Sequence, residues 1–117
     1  MPLDPVIHQA TRLRIMALLQ RNREARATAI RDALGLTDGN LASHAARLVE
    51  AGYVAQRRAL SAAGFELRYR ITPEGVGAFL AYAEALRLLM AGAETAAPHP
   101  DARRDAKDAV RPRGPRA

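Results

Sequence analysis

Four side chains that can donate hydrogen bonds recur at helical spacing in residues 35–54, which read G-L-T-D-G-N-L-A-S-H-A-A-R-L-V-E-A-G-Y-V. They are Asn40, Ser43, His44 and Arg47. At about 100° per residue, three of them share one side of a helix and the histidine lies at its edge. No acid interrupts the stretch between Asp38 and Glu50. Because arginine can pair with guanine and asparagine with adenine, we interpret this face as a candidate DNA-reading surface; an ordinary solvated helix face is the alternative.

Groups that could support catalysis or bind a metal show no comparable pattern. The chain has no cysteine, and its three histidines lack metal-type spacing. Ser43 and His44 are neighbours on a predicted helix, so their side chains diverge and do not form a nucleophile with its base. The sequence also lacks the usual phosphate-cradling glycine loops. We therefore predict no enzyme activity, no metal site and no cofactor.

The overall charge permits a nucleic-acid partner. The 117 residues include 18 Lys and Arg against 12 Asp and Glu, which gives a net charge of +6, and 17 of the 18 cations are arginine. The N-terminal residues lack the pattern of a signal peptide, and the longest apolar-rich stretch, residues 76–93, is interrupted by Glu84 and Arg87. We expect a cytoplasmic protein that associates with the nucleoid by binding DNA.

Capping and stop residues predict four helices and one hairpin. The first helix is predicted to begin at Asp4 and to end near residues 20–22. The second is predicted from the cap Thr28 to the stop Gly35, with a brief strand at 27–28. The remaining predicted elements are a third helix from the cap Thr37 to residues 51–52, strands over 53–60 and 65–71, a turn over 61–64, and a fourth helix that begins at the cap Thr72.

The composition changes after Gly92. Residues 93–117 contain Val110 as their single strongly apolar side chain, together with four prolines and ten charged residues. Such a segment buries too little surface to offset the entropy of ordering it. We predict a folded domain over residues 1–92 and a disordered, basic, proline-containing tail over 93–117. The tail ends V-R-P-R-G-P-R-A, which is similar to the P-R-G-R-P core of an AT-hook, so minor-groove binding and non-specific attraction to phosphates are both open.

Two motifs together resemble a known family. They are L-T-D-G-N-L-A-S-H-A-A-R-L-V-E-A-G-Y-V and, further along, Y-R-I-T-P-E-G. They look like the small single-domain winged-helix transcriptional regulators of bacteria and archaea that are related to the MarR and ArsR groups, and the resemblance covers roughly residues 3–91. It implies a mainly α fold with a small β-hairpin, namely a winged helix-turn-helix with three helices, a two-stranded wing and a C-terminal dimerisation helix.

The resemblance also implies how such a protein would bind DNA. The third helix would enter the major groove, the wing would lie near the backbone or the minor groove, and a homodimer would bind a palindromic operator. The DNA-facing positions carried over onto the third helix are Thr37, Asn40, Ser43, His44 and Arg47. We add Gly39, because glycine costs helix propensity and would permit a close approach to phosphate.

The hairpin departs from the family pattern at its tip. Members usually place basic residues at or beside the tip, whereas this tip reads S-A-A-G. The basic residues lie along the strands instead, at Arg57, Arg58, Arg68 and Arg70. We predict that these arginines grip DNA phosphates; the alternative is that they keep a sheet edge soluble.

Surplus apolar surface on the first and fourth helices predicts a homodimer whose equivalent faces meet across a two-fold axis. The residues predicted at this interface are Ile7, His8, Phe79, Tyr82, Leu86, Leu89 and Met90. A pocket for an unidentified small-molecule effector would form between the dimer helices and the DNA-reading part of the domain.

Two other classes of function are compatible with the sequence. A winged-helix adaptor would use the third helix to bind a protein, and its DNA binding would be weak and indifferent to sequence. Binding of structured RNA is less favoured, because the aromatic residues, Phe65 among them, mostly fall at predicted core positions.

Overall fold

A computed structural model describes residues 2–92, which form four helices and a three-stranded antiparallel sheet. The helices are α1 (Ala10–Asn22), α2 (Ala27–Leu34), α3 (Asp38–Glu50) and α4 (Pro73–Met90). The strands are β1 (Glu24–Arg26), β2 (Val54–Ser61) and β3 (Gly64–Ile71), and β3 lies between the other two. The predicted fold class, mainly α with a small β-hairpin, is confirmed. The predictions for residues 93–117 lie outside the described residues.

The first helix begins later than predicted. The carboxylate of Asp4 does accept a hydrogen bond from the backbone amide of Val6, at 2.8 Å, but the result is a short turn. Gln9 is extended, with φ −154° and ψ 133°, so the helical path is interrupted there. Its side chain accepts from the amide of Arg12 at 2.8 Å and so caps α1, which begins at Ala10. The prediction that one helix runs from Asp4 is therefore wrong, because a second cap intervenes.

The first strand lies just before its predicted position. The strand predicted at 27–28 is wrong, because β1 ends at Arg26 and α2 begins directly at Ala27 without a side-chain cap from Thr28. β1 pairs with β3 in the register Glu24 to Arg70. Its position depends on a partner more than 40 residues away, so local capping signals did not reveal it. Gly35 ends α2 as predicted, with a left-handed φ of 67°.

The third helix and the hairpin follow the prediction closely. The hydroxyl of Thr37 accepts from the amide of Asn40 at 3.0 Å and caps α3. β2 and β3 pair along their whole length, from Val54 opposite Ile71 to Ser61 opposite Gly64. The turn between them is two residues long, and Gly64 adopts a positive φ of 113° that favours glycine.

Apolar side chains from all four helices and the sheet form one core. Its fully buried members include Ile7, Ile15, Met16, Leu19, Ile30 and Leu48. Arg12 is the one charged side chain buried in the described part of the chain, at 9% exposure. Its guanidinium donates to the carbonyl oxygen of Val6 at 2.5 Å and to Nδ1 of His44 at 3.2 Å, so its charge is hydrogen-bonded. Arg12 thereby links the N-terminal segment to α3.

A junction at Thr72 attaches α4 to the rest of the domain. The Thr72 hydroxyl donates to the carbonyl oxygen of Gly52 at 2.6 Å and accepts from the amide of Gly75 at 2.9 Å. Its backbone amide donates to the carbonyl oxygen of Tyr53 at 3.0 Å. Gly75 is buried against the same carbonyl, which a Cβ at this position would approach to 2.1 Å. Only glycine fits there without a shift of the helix.

We therefore expect Gly75→Ala to lower the free energy of unfolding by about 3 kcal/mol, the size of a severe overpacking substitution. Urea unfolding followed by circular dichroism measures it. Gly77→Ala is the matched control, because a Cβ at Gly77 meets nothing within 4 Å. Alanine at that exposed helical position should raise stability by up to about 1 kcal/mol. Equal stability of the two variants would contradict this account of the junction.

Candidate nucleic-acid interface

The polar face of α3 is exposed. Leu41, Ala45 and Leu48 on the opposite side are buried in the core and fix the rotation of the helix. The exposed positions on the polar side are Thr37, Gly39, Asn40, Ser43 and Arg47. Within residues 2–92 the side chains of Asn40, Ser43 and Arg47 make no hydrogen bond or ion pair, so their donors are available to a ligand. A Cβ at Gly39 would meet open space, so packing within the domain does not require glycine there.

His44 differs from the other residues predicted on this face. It is half-buried, and its Nδ1 lies 3.2 Å from Nη1 of Arg12 on α1. One ring nitrogen is thus occupied inside the domain. The histidine joins α3 to α1 as well as bordering the exposed face.

The acid nearest this face is paired with a cation. Asp38, in the first turn of α3, accepts from Nη1 of Arg31 on α2 at 3.0 Å. Arg31 also donates to Asp32 at 2.9 Å, and its hydrogen bonds to Asp32 and Asp38 raise the pKa of its guanidinium. The pair spans the tight corner between α2 and α3 and reduces the local negative charge beside the exposed donors.

The sheet has two chemically different faces. In the β2–β3 register Arg57 lies opposite Arg68, and Glu24 of β1 lies beside Arg70 on the same face. Glu24 accepts from Arg57 at 2.8 Å and from Arg68 at 3.3 Å, and Glu66 accepts from Arg68 at 2.7 Å. Two of the four predicted phosphate-binding arginines are therefore already paired with carboxylates.

Glu24 is the residue that the sequence interpretation missed on this face. Desolvation alone would raise the pKa of its carboxyl, but the hydrogen bonds and charges of Arg57 and Arg68 outweigh it and lower the pKa. The carboxylate of Glu24 therefore stays charged at a lower pH than an ordinary glutamate, and the pairing weakens only as the pH falls through the lowered pKa. The sequence carries no local signal for this cluster, since it depends on the pairing of β1 with β3.

Arg58 and Arg70 lie apart from the Glu24 cluster and from each other. Arg58 lies on the opposite face of the hairpin, and its guanidinium carbon is 5.3 Å from the ring centroid of Phe65. Arg70 is exposed at the root of the hairpin, where it and Arg23 line an open cleft of about 560 Å³. The four arginines predicted as one phosphate-binding group thus form three separate sites.

The predicted dimer surface needs correction. Ile7 and Tyr82 are 0% and 4% exposed, so they belong to the core of the protomer and have no surface for a partner. His8 is exposed, and its Nδ1 lies 2.8 Å from the hydroxyl of Tyr82. The other predicted positions retain accessible surface: Phe79 and Leu86 are half-buried, and Leu89 and Met90 are exposed.

The part of the chain over residues 2–92 has no group of three or more His, Asp or Glu residues that could hold a metal ion. Its helices are also too short or too polar to cross a membrane. A mostly apolar cleft of about 580 Å³ lies between the N-terminal segment and α4, where Leu3, Val6, Tyr53 and Ala78 line it.

Comparison with protein families gives one match over most of the chain. A family described as a winged helix DNA-binding domain matches residues 11–90. The search of curated proteins found no match.

Solved structures with a similar fold include proteins named as transcriptional regulators. A transcriptional regulator homologue from Pyrococcus horikoshii OT3 is 27% identical, with a TM-score of 0.71 over 77% of this chain and 89% of the other. NadR in complex with 4-hydroxyphenylacetate is 22% identical, with a TM-score of 0.57 over 91% and 67%. A MarR family regulator from Silicibacter pomeroyi is 13% identical, with a TM-score of 0.57 over 86% and 65%. The last two similarities show the fold alone.

The Glu24 cluster predicts how charge on the hairpin controls attraction to phosphates. Glu24→Gln should release Arg57, because a neutral amide holds it less strongly, while Arg68 stays paired with Glu66. We expect tighter binding to random duplex DNA, and a slope of log affinity against log salt that is steeper by about 1. Fluorescence anisotropy at several salt concentrations measures both.

Glu84→Gln is the control for this experiment. It makes the same change in net charge and releases Arg87 on α4, away from the hairpin. If both variants change DNA affinity equally, net charge alone explains the result and the Glu24 cluster has no specific effect.

Proposed function

Because the chain belongs to the winged helix DNA-binding domain family, we propose that it is a transcriptional regulator that binds double-stranded DNA sequence-specifically as a homodimer. The observation that carries the proposal is the exposed face of α3, on which Asn40, Ser43 and Arg47 present donors that nothing in residues 2–92 occupies. The similarity to the Pyrococcus horikoshii regulator homologue supports the same class of function. The protein would act in the cytoplasm, on nucleoid DNA, by binding rather than by catalysis.

In this proposal α3 enters the major groove and its side chains divide the contacts. Arg47 donates to guanine and Asn40 pairs with adenine, since their side chains match those base edges. Thr37, Ser43 and His44 contact phosphates or contribute secondary readout. Gly39 permits a close approach of the helix to the backbone.

The hairpin arginines make the backbone contacts. Arg57 and Arg68 exchange their partner Glu24 for phosphates, and Arg58 adds a phosphate contact from the other face of the hairpin. Arg70 lies at the hairpin root, farthest along β3 from the tip, and makes the weakest of these contacts.

A homodimer would present two copies of α3 to successive major grooves, about 34–36 Å apart. The proposed partner surface consists of Phe79, Leu86, Leu89 and Met90, which fall within one side of α4 by helical spacing. Leu89 and Met90 are 45% and 80% exposed, so their apolar surface is available to a partner. The two-fold symmetry predicts a palindromic operator.

We further propose that the protein binds a small-molecule effector. The cleft between the N-terminal segment and α4 has a volume of about 580 Å³, which is within the usual range for ligand sites. Its apolar lining favours an apolar or aromatic molecule. NadR, a structural neighbour, is known in complex with such a compound, 4-hydroxyphenylacetate.

Selection from fragmented genomic DNA of the source organism tests the function. The protein is incubated with the fragments at about 150 mM salt with excess random competitor, which suppresses binding through phosphates alone. Asn40→Ala/Arg47→Ala is the control. Enrichment of a short palindrome by the native protein and not by the control supports the proposal. If neither enriches a sequence, α3 does not read bases, and the adaptor function takes its place.

The two kinds of contact predict different effects of single substitutions. Arg47→Ala should cost about 1–3 kcal/mol on the selected operator and relax preference at one base position, because a bidentate base contact is lost. Arg58→Ala should weaken binding to all sequences alike. Titration of operator and random duplexes measures both effects, and equal losses on the two DNAs for both variants would reject this division of roles.

The dimer is tested by light scattering at micromolar concentration, where we expect twice the mass of one chain. Leu89→Glu/Met90→Glu should produce a monomer, because it places charges in the proposed apolar contact. Gly77→Glu is the matched control, since Gly77 is an exposed residue of α4 that lies at least about 120° from all four residues of the proposed surface by helical spacing. A native protein that is already monomeric would refute the dimer.

A further inference from the structure

Two bulky apolar side chains project at the end of the hairpin. Leu60 and Phe65 lie directly opposite each other in the β2–β3 register. They are 76% and 69% exposed, so the prediction that Phe65 is a core residue is wrong. The alternation of β3 is intact, because Tyr69 and Ile71 on the same face are buried at the hairpin root. The hairpin simply extends beyond the core that would cover its outer part.

The chemistry around this pair favours an anionic partner. On the same face of the hairpin lie Gln56, Arg58 and Leu67, and the guanidinium of Arg58 is 5.3 Å from the Phe65 ring centroid. The hairpin's acid, Glu66, lies on the other face and pairs with Arg68. The exposed apolar pair is therefore bordered by the positive charge of Arg58, while the charge of Glu66, the one acid of the hairpin, is paired with that of Arg68.

The shape of the tip restricts what it can enter. The turn consists of Ala62 and Ala63, and the hydroxyl of Ser61 donates to the carbonyl oxygen of Gly64 at 2.8 Å across its base. Small side chains at the turn make the tip narrow. The minor groove of B-DNA is about 6 Å wide, and proteins that enter it commonly insert Phe or Leu between base steps.

We propose that Leu60 and Phe65 form a wedge that enters the minor groove next to the major groove occupied by α3, and unstacks one base step there. The inference rests on the proposed DNA-binding function and names a further specificity element within it. Arg58 would hold the adjoining phosphate while the apolar pair contacts the exposed base faces. Because pyrimidine–purine steps unstack most readily, the wedge selects TA or CA steps that α3 does not touch. A DNA bend accompanies the insertion.

The test uses the operator obtained from genomic selection. 2-Aminopurine, whose fluorescence rises when it is unstacked, replaces adenine at each TA or CA step on either side of the palindrome. Donor and acceptor dyes on the duplex ends report the bend. With native protein we expect a rise in fluorescence at one symmetric pair of steps and a shortened end-to-end distance.

Leu60→Ala/Phe65→Ala should abolish both signals and relax the preference for that step, while the base preferences that depend on Arg47 persist. Both residues are exposed, so we expect the variant to fold, which circular dichroism checks. Leu80→Ala is the control, because it removes an exposed apolar side chain from α4 and should leave both signals unchanged.

Each contrary outcome is distinguishable. If the native protein selects an operator but the double variant gives the same fluorescence and bend, the wedge is rejected and the proposed function stands. If the double variant is monomeric where the native protein is dimeric, the pair is a subunit contact and the wedge is again rejected. If the native protein selects no DNA, the proposed function fails and the wedge fails with it.

Discussion

The hydrogen bonds of Thr72 determine how the parts of this domain are arranged. The Thr72 hydroxyl donates to the carbonyl oxygen of Gly52, just after α3, and accepts from the amide of Gly75 at the start of α4. The Thr72 amide donates to the carbonyl oxygen of Tyr53. The end of α3, the root of the hairpin and the start of α4 therefore meet at a single backbone junction. Because Gly75 lies against the Tyr53 carbonyl, the junction has no space for a larger side chain at this position. The orientation of α3 relative to the hairpin follows from it.

Ion pairs within the domain determine which arginine side chains are available to bind a ligand. Arg31 and Asp38 pair at the corner between α2 and α3, and Glu24 holds Arg57 and Arg68 on the hairpin. Arg47 has no such partner within residues 2–92. Residues 2–92 thus present a smaller set of free arginines than their sequence suggests. Local pairing, rather than net charge, defines the candidate DNA surface.

Local sequence signals predicted the elements that depend on local chemistry. Thr37 and Thr72 cap their helices because a hydroxyl meets an amide three residues on, and that spacing is visible in the sequence. The position of β1 was not predicted because it is fixed by hydrogen bonds to β3, which lies far along the chain. The exposure of Phe65 was not predicted for a related reason. Alternation of apolar and polar residues assigns a residue to one face of the sheet, but it does not show how far along the strand the core covers that face. Ile7 and Tyr82 were likewise assigned to a partner when the protomer's own core needed them.

The contact between Arg12 and His44 also fixes a tautomer. A guanidinium only donates hydrogen bonds, so Nδ1 of His44 must be the acceptor in this pair. A neutral imidazole that accepts at Nδ1 carries its hydrogen on Nε2. The second nitrogen of His44 is then a donor alone, and it can meet a phosphate oxygen or guanine O6 but not the amino group of cytosine or adenine. A buried arginine on one helix thus restricts which base edges are compatible with a histidine on another.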